Sequence, residues 1–224
     1  MDTFTKVEPS NTSAFPIAKA GWPFIGVAAF ATAVFALLGI AVPALAGLLA
    51  TLFICYFFRD PDRVIPDRDA AVVSPADGKV IKVEHDENNR FIADKCLKIS
   101  IFMSIFNVHV NRIPYTGNIT RTAYFPGKFF SANLDKASQD NEHNAVFLKT
   151  DGGQQICFVQ IAGLVARRII CNVQEGQAVI RGRRFGLICF GSRLDVYLPI
   201  DTQVSVKVGD RVSAGTSVLG ELKS

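Results

Sequence analysis

Gly191-Ser192 lies in the run Phe185-Gly-Leu-Ile-Cys-Phe-Gly-Ser-Arg-Leu-Asp-Val-Tyr-Leu-Pro199, which reads as a buried β-strand near the C-terminus. Glycine weakens a strand interior and marks a bulge, a bend or a close backbone approach. A hydroxyl placed directly after it can attack its own preceding carbonyl. Such an attack needs a base, because an unassisted serine hydroxyl is a poor nucleophile. The chain offers three histidines. His85 sits in the polar turn Glu84-His-Asp-Glu-Asn-Asn89 and reads as a solvated loop residue; His143, in Gln139-Asp-Asn-Glu-His-Asn-Ala145, reads as a surface or supporting residue. His109 lies between Val108 and Val110 in an alternating run, where the plain reading is a hydrogen-bonded core histidine. Asp77-Gly78 is, taken alone, an ordinary turn pair.

The remaining reactive side chains point elsewhere. Cys55, Cys96, Cys157, Cys171 and Cys189 are odd in number, lack CxxC spacing and sit in apolar runs. They read as buried reduced thiols rather than zinc ligands or a disulfide framework, which places the catalytic domain in the cytoplasm and leaves no metal site. A net charge of +4 without any basic run excludes nucleic acid as the expected partner.

Those residues must be positioned by two different kinds of element. No charged residue occurs between Lys19 and Arg59, and Phe24 to Phe58 is apolar apart from two threonines. A single helix over those ~35 residues would be ~52 Å long, against a hydrocarbon core of ~30 Å. Gly39, Pro43 and Gly47 interrupt the middle, so the pattern predicts two short helices, roughly 22–38 and 44–58, forming a membrane hairpin. Lys6 and Lys19 precede it and Arg59, Arg63 and Arg68 follow, which puts both flanks on the cytoplasmic side of the cell membrane. The expected organisation is an N-terminal segment 1–21, a hairpin 22–58 and a catalytic domain 59–224.

Beyond Arg59 the pattern becomes β. Short β-branched or alternating runs at Val80–Val83, Cys96–Met103, Ile119–Ala123, Ala145–Lys149, Gln155–Ala162, Ala166–Val173, Phe185–Phe190, Leu194–Leu198 and Gln203–Val208 are separated by glycine-rich turns. This spacing predicts a mainly β barrel or sandwich, with one helix near Phe129–Gln139. The segments VVSPADGKVIKV and VSVKVGDRVSAGTSVLGEL look like the two halves of a lipoyl- or biotinyl-type hammerhead.

FGSRLDVYLP, with SPADGKV at 74–80, FNVHVNR at 106–112, LDKASQDNEHN at 134–144 and the C-terminal GDRVSAG, resembles the short (archaeal-type), pyruvoyl-dependent form of phosphatidylserine decarboxylase. The likeness runs in order over nearly the whole chain. It implies self-cleavage between Gly191 and Ser192 into a β chain, 1–191, and an α chain, 192–224, that stay together as a heterodimer, with a higher homo-oligomer left open. It implies that Ser192 becomes a covalent pyruvoyl cofactor, which takes the amine of membrane phosphatidylserine as a Schiff base and releases carbon dioxide and phosphatidylethanolamine. It also implies a catalytic His109, with Asp77 orienting it in a Ser–His–Asp logic. Longer family members carry two histidines in the segment matching FNVHVNR, and this chain carries one. A lipid substrate further suggests an interfacial loop at Phe125-Pro-Gly-Lys-Phe-Phe130, in which Phe125, Phe129 and Phe130 meet acyl chains, and phosphate contacts from Arg121 and Lys128.

Two other classes compete. A non-enzymatic membrane-anchored carrier or adaptor would use the hammerhead and a modified Lys136 in Leu134-Asp-Lys-Ala137, but that lysine lies in an expected loop or helix rather than at a hairpin tip. A serine hydrolase would need a GxSxG elbow, which is absent around Ser192.

Overall fold

The computed structural model describes residues 16–87, 89–92, 95–131, 140–164, 168–189 and 191–223. The chain divides into two compact units, residues 1–62 and 63–224. The first contains α1 (Trp22–Leu37) and α2 (Ala41–Phe57), packed on each other. The break between them is at Gly39, whose φ of 72° suits a residue without a Cβ. Pro43 lies in the first turn of α2, where its missing N–H has no helical partner to lose, so it does not break the helix as expected. Gly47 likewise sits inside α2. A Cβ there would meet the Thr32 hydroxyl at 2.5 Å, so this glycine serves close helix packing. The Thr32 and Thr51 hydroxyls satisfy themselves on the carbonyls of Ala28 and Gly47.

Lys19–Leu37 is long and apolar enough to cross a membrane, while α2 is two residues shorter. The base of the pair is stitched by an antiparallel bridge between Ile17 and Arg59, by the Ala18 N–H on the Phe58 carbonyl at 2.8 Å, and by Phe58 stacked on Phe24. Chain entry and exit are therefore side by side, as a hairpin requires.

Among the described residues the second unit contains fourteen strands: β1 (Ala71–Val73), β2 (Gly78–Asp86), β3 (Cys96–Met103), β4 (Val110–Arg112), β5 (Gly117–Phe125), β6 (His143–Lys149), β7 (Gln155–Ala162), β8 (Ile169–Cys171), β9 (Ala178–Val179), β10 (Arg184–Ile188), β11 (Ser192–Pro199), β12 (Gln203–Val204), β13 (Arg211–Val212) and β14 (Val218–Glu221). An antiparallel sheet in the order β13-β2-β3-β11-β7-β6-β5-β9 curls into a half-barrel, accompanied by the sheets β4-β10-β8 and β1-β14-β12. The two segments that look like hammerhead halves do pair, β1 with β14 and β2 with β13. Gly78 permits the β2 pairing, because a Cβ there would collide with the Phe102 carbonyl.

Alternation along β11 sets its two faces. Leu194, Val196 and Leu198 enter the main core with Ile99, Ile101 and Phe158. Arg193, Asp195 and Tyr197 point the other way and are buried too, Tyr197 beneath Phe91 and Phe147. Buried charge needs partners. Arg193 Nε donates to Asp195 at 2.6 Å, Arg193 donates to the Ser100 hydroxyl at 2.9 Å, and Lys98 lies 3.7 Å from the same carboxylate.

The expected continuous strand through Gly191-Ser192 is not what forms. β10 belongs to the small sheet and β11 to the centre of the large one, and the chain changes sheets between them. Gly191, at φ 68°, stands at that change rather than inside a strand. Of the anticipated strand Ala166–Val173, residues 166–167 lie outside the described residues and the rest forms a strand over Ile169–Cys171, while Gln203–Val208 ends at Val204. Of the helix anticipated at 129–139, Phe129–Ser131 are not helical, and the rest lies outside the described residues, as does Lys136.

Candidate active site

Ser192 opens β11, paired with Met103 on one side and Ala162 on the other, and is fully buried. Its hydroxyl donates to the Met103 sulfur at 3.3 Å, a weak acceptor that leaves the oxygen loosely held. Position 191 before it demands a positive φ, which non-glycine residues adopt at a cost of order 1–3 kcal/mol.

His109 precedes β4, which pairs with β10, so the small sheet carries the imidazole to the sheet change. The ring is completely buried. Nδ1 lies 2.9 Å from the Asn107 carbonyl, and Nε2 accepts the Gly191 N–H at 3.3 Å. A carbonyl can only accept and an amide N–H can only donate. These two partners therefore fix one tautomer, with the proton on Nδ1 and the basic lone pair of Nε2 at the residue preceding Ser192. Asn107 is itself held, its side-chain oxygen accepting from the Ser104 N–H at 2.9 Å and hydroxyl at 2.8 Å. Sequence reasoning missed Asn107 and Met103. The Ser104-x-x-Asn107 spacing is a turn signal that points to the first, whereas only strand register reveals the second.

Asp77 is placed differently. Its carboxylate accepts the Ala214 N–H at 2.7 Å and pairs with Arg63 at 2.8 Å, so its hydrogen bonds go to these groups and not to His109. Its turn is nonetheless tied to β4, because the Pro75 carbonyl accepts the Arg112 N–H at 2.9 Å. The structure thus brings Gly191, Ser192 and His109 together and sets the turn that holds Asp77 against β4, the strand that follows the histidine.

The lipid-contact candidates separate by register. Phe125 pairs with His143, which pairs with Ile161, opposite Arg193, so it is one row from Ser192. Arg121 falls in the row of Phe147, Cys157 and Tyr197. That row is five residues along β11, or about 17 Å away. Phe125 stacks on His143 at 4.7 Å and Phe129 packs on Ala162 and Ile188, so both are committed to packing. Lys128 is exposed beside Phe130, 5.8 Å from its ring.

His85 is exposed but lies in β2 rather than in a loop. His143 is buried, its Nδ1 2.6 Å from the Asn141 carbonyl and its other nitrogen 3.3 Å from Arg90. Burial lowers its pKa below the usual histidine value, with Arg90 adding to that and the Asn141 carbonyl opposing it. Burial also raises the thiol of Cys189, two residues before Gly191, which keeps it protonated and unreactive. All five cysteines are free thiols.

Known proteins match this sequence. The sequence profile of phosphatidylserine decarboxylase covers residues 50–220, including every strand named above except the last residue of β14. The chain belongs to the phosphatidylserine decarboxylase family. Relatives named phosphatidylserine decarboxylase proenzyme include a protein of Desulfotalea psychrophila, 50% identical over 92% of this chain and 97% of its own length. One of Syntrophus aciditrophicus is 54% identical over 77% of this chain and 81% of its own, and one of Nitrosomonas europaea is 49% identical over 92% and 94%. The decarboxylase profile begins inside α2, whereas the first of these relatives matches nearly end to end.

Proposed function

We propose that this chain is a phosphatidylserine decarboxylase made as a self-cutting precursor, in which Ser192 is both nucleophile and source of a pyruvoyl group. The observation that carries the reading is the unprotonated Nε2 of His109 at the N–H of Gly191, next to a buried serine whose hydroxyl rests on a thioether. In the proposed step the Ser192 hydroxyl turns from Met103 to His109, which takes its proton. The oxygen attacks the Gly191 carbonyl, the C–O bond forms, and the proton passes to the Ser192 nitrogen as the C–N bond breaks. Removal of the Ser192 α-proton then expels the Gly191 carboxylate together with the former hydroxyl oxygen. The resulting dehydroalanine tautomerises, and water replaces its nitrogen as ammonia.

Residue 192 fits such a group because its strand is held on both sides without the Gly191 bond. β11 pairs with β3 and β7, and β13 and β14 pair with β2 and β1, so the pieces 1–191 and 192–224 interlace as a heterodimer. When formed, the pyruvoyl group supplies an electrophilic carbonyl and electron sink for the amine of phosphatidylserine. The His109 ring, itself fully buried, is then available to move a proton in the decarboxylation as well. Asp77 acts as a positioning residue, pinning the turn beside β4 and the backbone of the C-terminal piece. The hairpin holds the site at the cell membrane, and its basic flanks place the catalytic unit on the cytoplasmic side. Lys128 and Phe130 are the remaining contacts proposed for the lipid, since Arg121 lies well down the sheet.

Intact-mass analysis of the denatured protein tests this. Two pieces are expected, the smaller starting at residue 192 with a terminus that blocks Edman chemistry and reacts with carbonyl reagents. Ser192→Ala should remain one folded, inactive chain. Cutting at 191–192 in that variant would overturn the reading.

A further inference from the structure

The two ends of the large sheet differ in what their loops expose. At the end away from Ser192 the connections carry Glu87, Lys95, Asp151, Gly152, Gly153 and Asp201, all exposed, with Ile180 (37%) and Ile200 (42%) the exposed large apolar side chains among the described residues there. At the Ser192 end the loop leaving β3 exposes Ile105 (38%) and Phe106 (61%), and the loop leaving β7 exposes Leu164 (64%). These are the two strands that flank β11, so the apolar tips stand on either side of Ser192. Ile105 reaches the scissile residue itself, its Cγ2 lying 3.9 Å from where a Cβ on Gly191 would be. Exposed Lys128 and Arg168 lie at the same end, Arg168 through its carbonyl accepting the Cys189 N–H.

We infer that Ile105, Phe106 and Leu164 form a docking rim that enters a phospholipid bilayer around the Ser192 site, a second membrane contact independent of the α1–α2 hairpin. Apolar tips on opposite sides of one site, with basic side chains beside them, match a surface whose interior is hydrocarbon and whose border is phosphate. The chain itself argues for this occupant, because the catalytic unit follows the apolar α2 within six residues. The inference rests on the lipid-decarboxylase reading. A headgroup amine must come to residue 192, and side chains just beyond that residue then lie at the depth of the upper acyl chains.

The test uses the full chain with its single tryptophan removed, Trp22→Phe, and a new one introduced by Phe106→Trp or, separately, by Leu164→Trp. Each protein is reconstituted into vesicles of phosphatidylcholine and phosphatidylserine in which the phosphatidylcholine acyl chains carry bromine. Both variants should be quenched several-fold more strongly than an Ile200→Trp control at the polar end. Phe106→Asp and Leu164→Asp should each lower the ratio of turnover on vesicles to turnover on dispersed short-chain lipid roughly tenfold, the factor expected for half-burying one such side chain. Quenching no stronger than that of the Ile200→Trp control overturns the rim. So does a blue-shifted, unquenched emission that grows with protein concentration, which would mean that a second copy covers this face. Mass analysis of the same samples separates the two levels of the proposal. A cut, active protein without quenching defeats the docking rim alone, whereas an uncut wild type defeats the decarboxylase reading while the quenching still decides the rim.

Discussion

Ser192 and its neighbour Arg193 are adjacent on β11, fully buried, and held in opposite ways. Arg193 is gripped by short charge-assisted bonds to Asp195 and by the Ser100 hydroxyl, with Lys98 closing the cluster. Ser192 offers its proton to a sulfur, next to a glycine in a left-handed conformation. One face of the strand is locked while the other is poised. Self-cleavage needs both, since the hydroxyl must be able to turn while the backbone it attacks stays where the imidazole can reach it.

The sharpest way to break the poised side is His109→Ala. Precursor processing should slow by about 10²–10⁴-fold, the usual contribution of a positioned base. His85→Ala, on the exposed face of β2, should process at the wild-type rate in the same mass-resolved time course. Equal rates in the two variants would show that the base is misassigned.

Asp195→Ala attacks the locked side. It leaves Arg193 and Lys98 without their shared carboxylate in the interior and should cost about 3–5 kcal/mol of folding stability. Urea denaturation of the hairpin-containing protein in detergent, on a Ser192→Ala background to avoid cutting, measures this. A loss below about 1 kcal/mol would mean that the cluster is dispensable and that the contrast across the strand is wrong.

Met103→Leu should act on chemistry more than on stability. It removes the serine's acceptor at nearly constant volume, so the fold should lose only about 1 kcal/mol. The processing rate should change measurably, because the hydroxyl must find another partner. An unchanged rate would mean that the thioether does not hold the serine in its resting position.

The smallest expected effect is a pH dependence away from the serine. His143 is buried with its pKa below that of the unfolded chain. Between the unfolded value of about 6.5 and the lower folded value, the unfolded chain binds more protons. Its neutral form therefore contributes stability that is complete above about pH 6.5 and is lost as pH falls towards the folded value. Urea midpoints at about pH 7.5 and 5.5 should fall further in the wild type than in His143→Gln. Identical pH slopes would assign the acid sensitivity to other groups.

Much of this was legible from residue order. β3 and β7 match their expected bounds, since eight alternating or β-branched residues between polar turns have few other ways to bury themselves. The hairpin was legible because an uncharged run too long for one span must fold back. Pro43 and Gly47 misled because breaker residues are judged by type, whereas a first-turn position and a close helix contact make both acceptable inside α2. His143 misled in a similar way, as a polar neighbourhood in sequence became a buried stack on Phe125.

By itself the sequence determined that a serine follows a glycine within an apolar run, that a histidine lies in FNVHVNR, and that the N-terminal segment is apolar enough for a membrane. These are properties of composition and of periods that span a few residues. Only the tertiary structure decided that the chain changes sheets at Gly191, that Nε2 of His109 meets that residue's N–H, and that Asp77 bonds to Arg63 and Ala214. The contacts of His109 with Gly191 and of Asp77 with Ala214 join residues 82 and 137 apart, brought together by strand register. Register is set by the packing of whole faces rather than by any local signal, because a one-residue slip would reverse every side chain of β11.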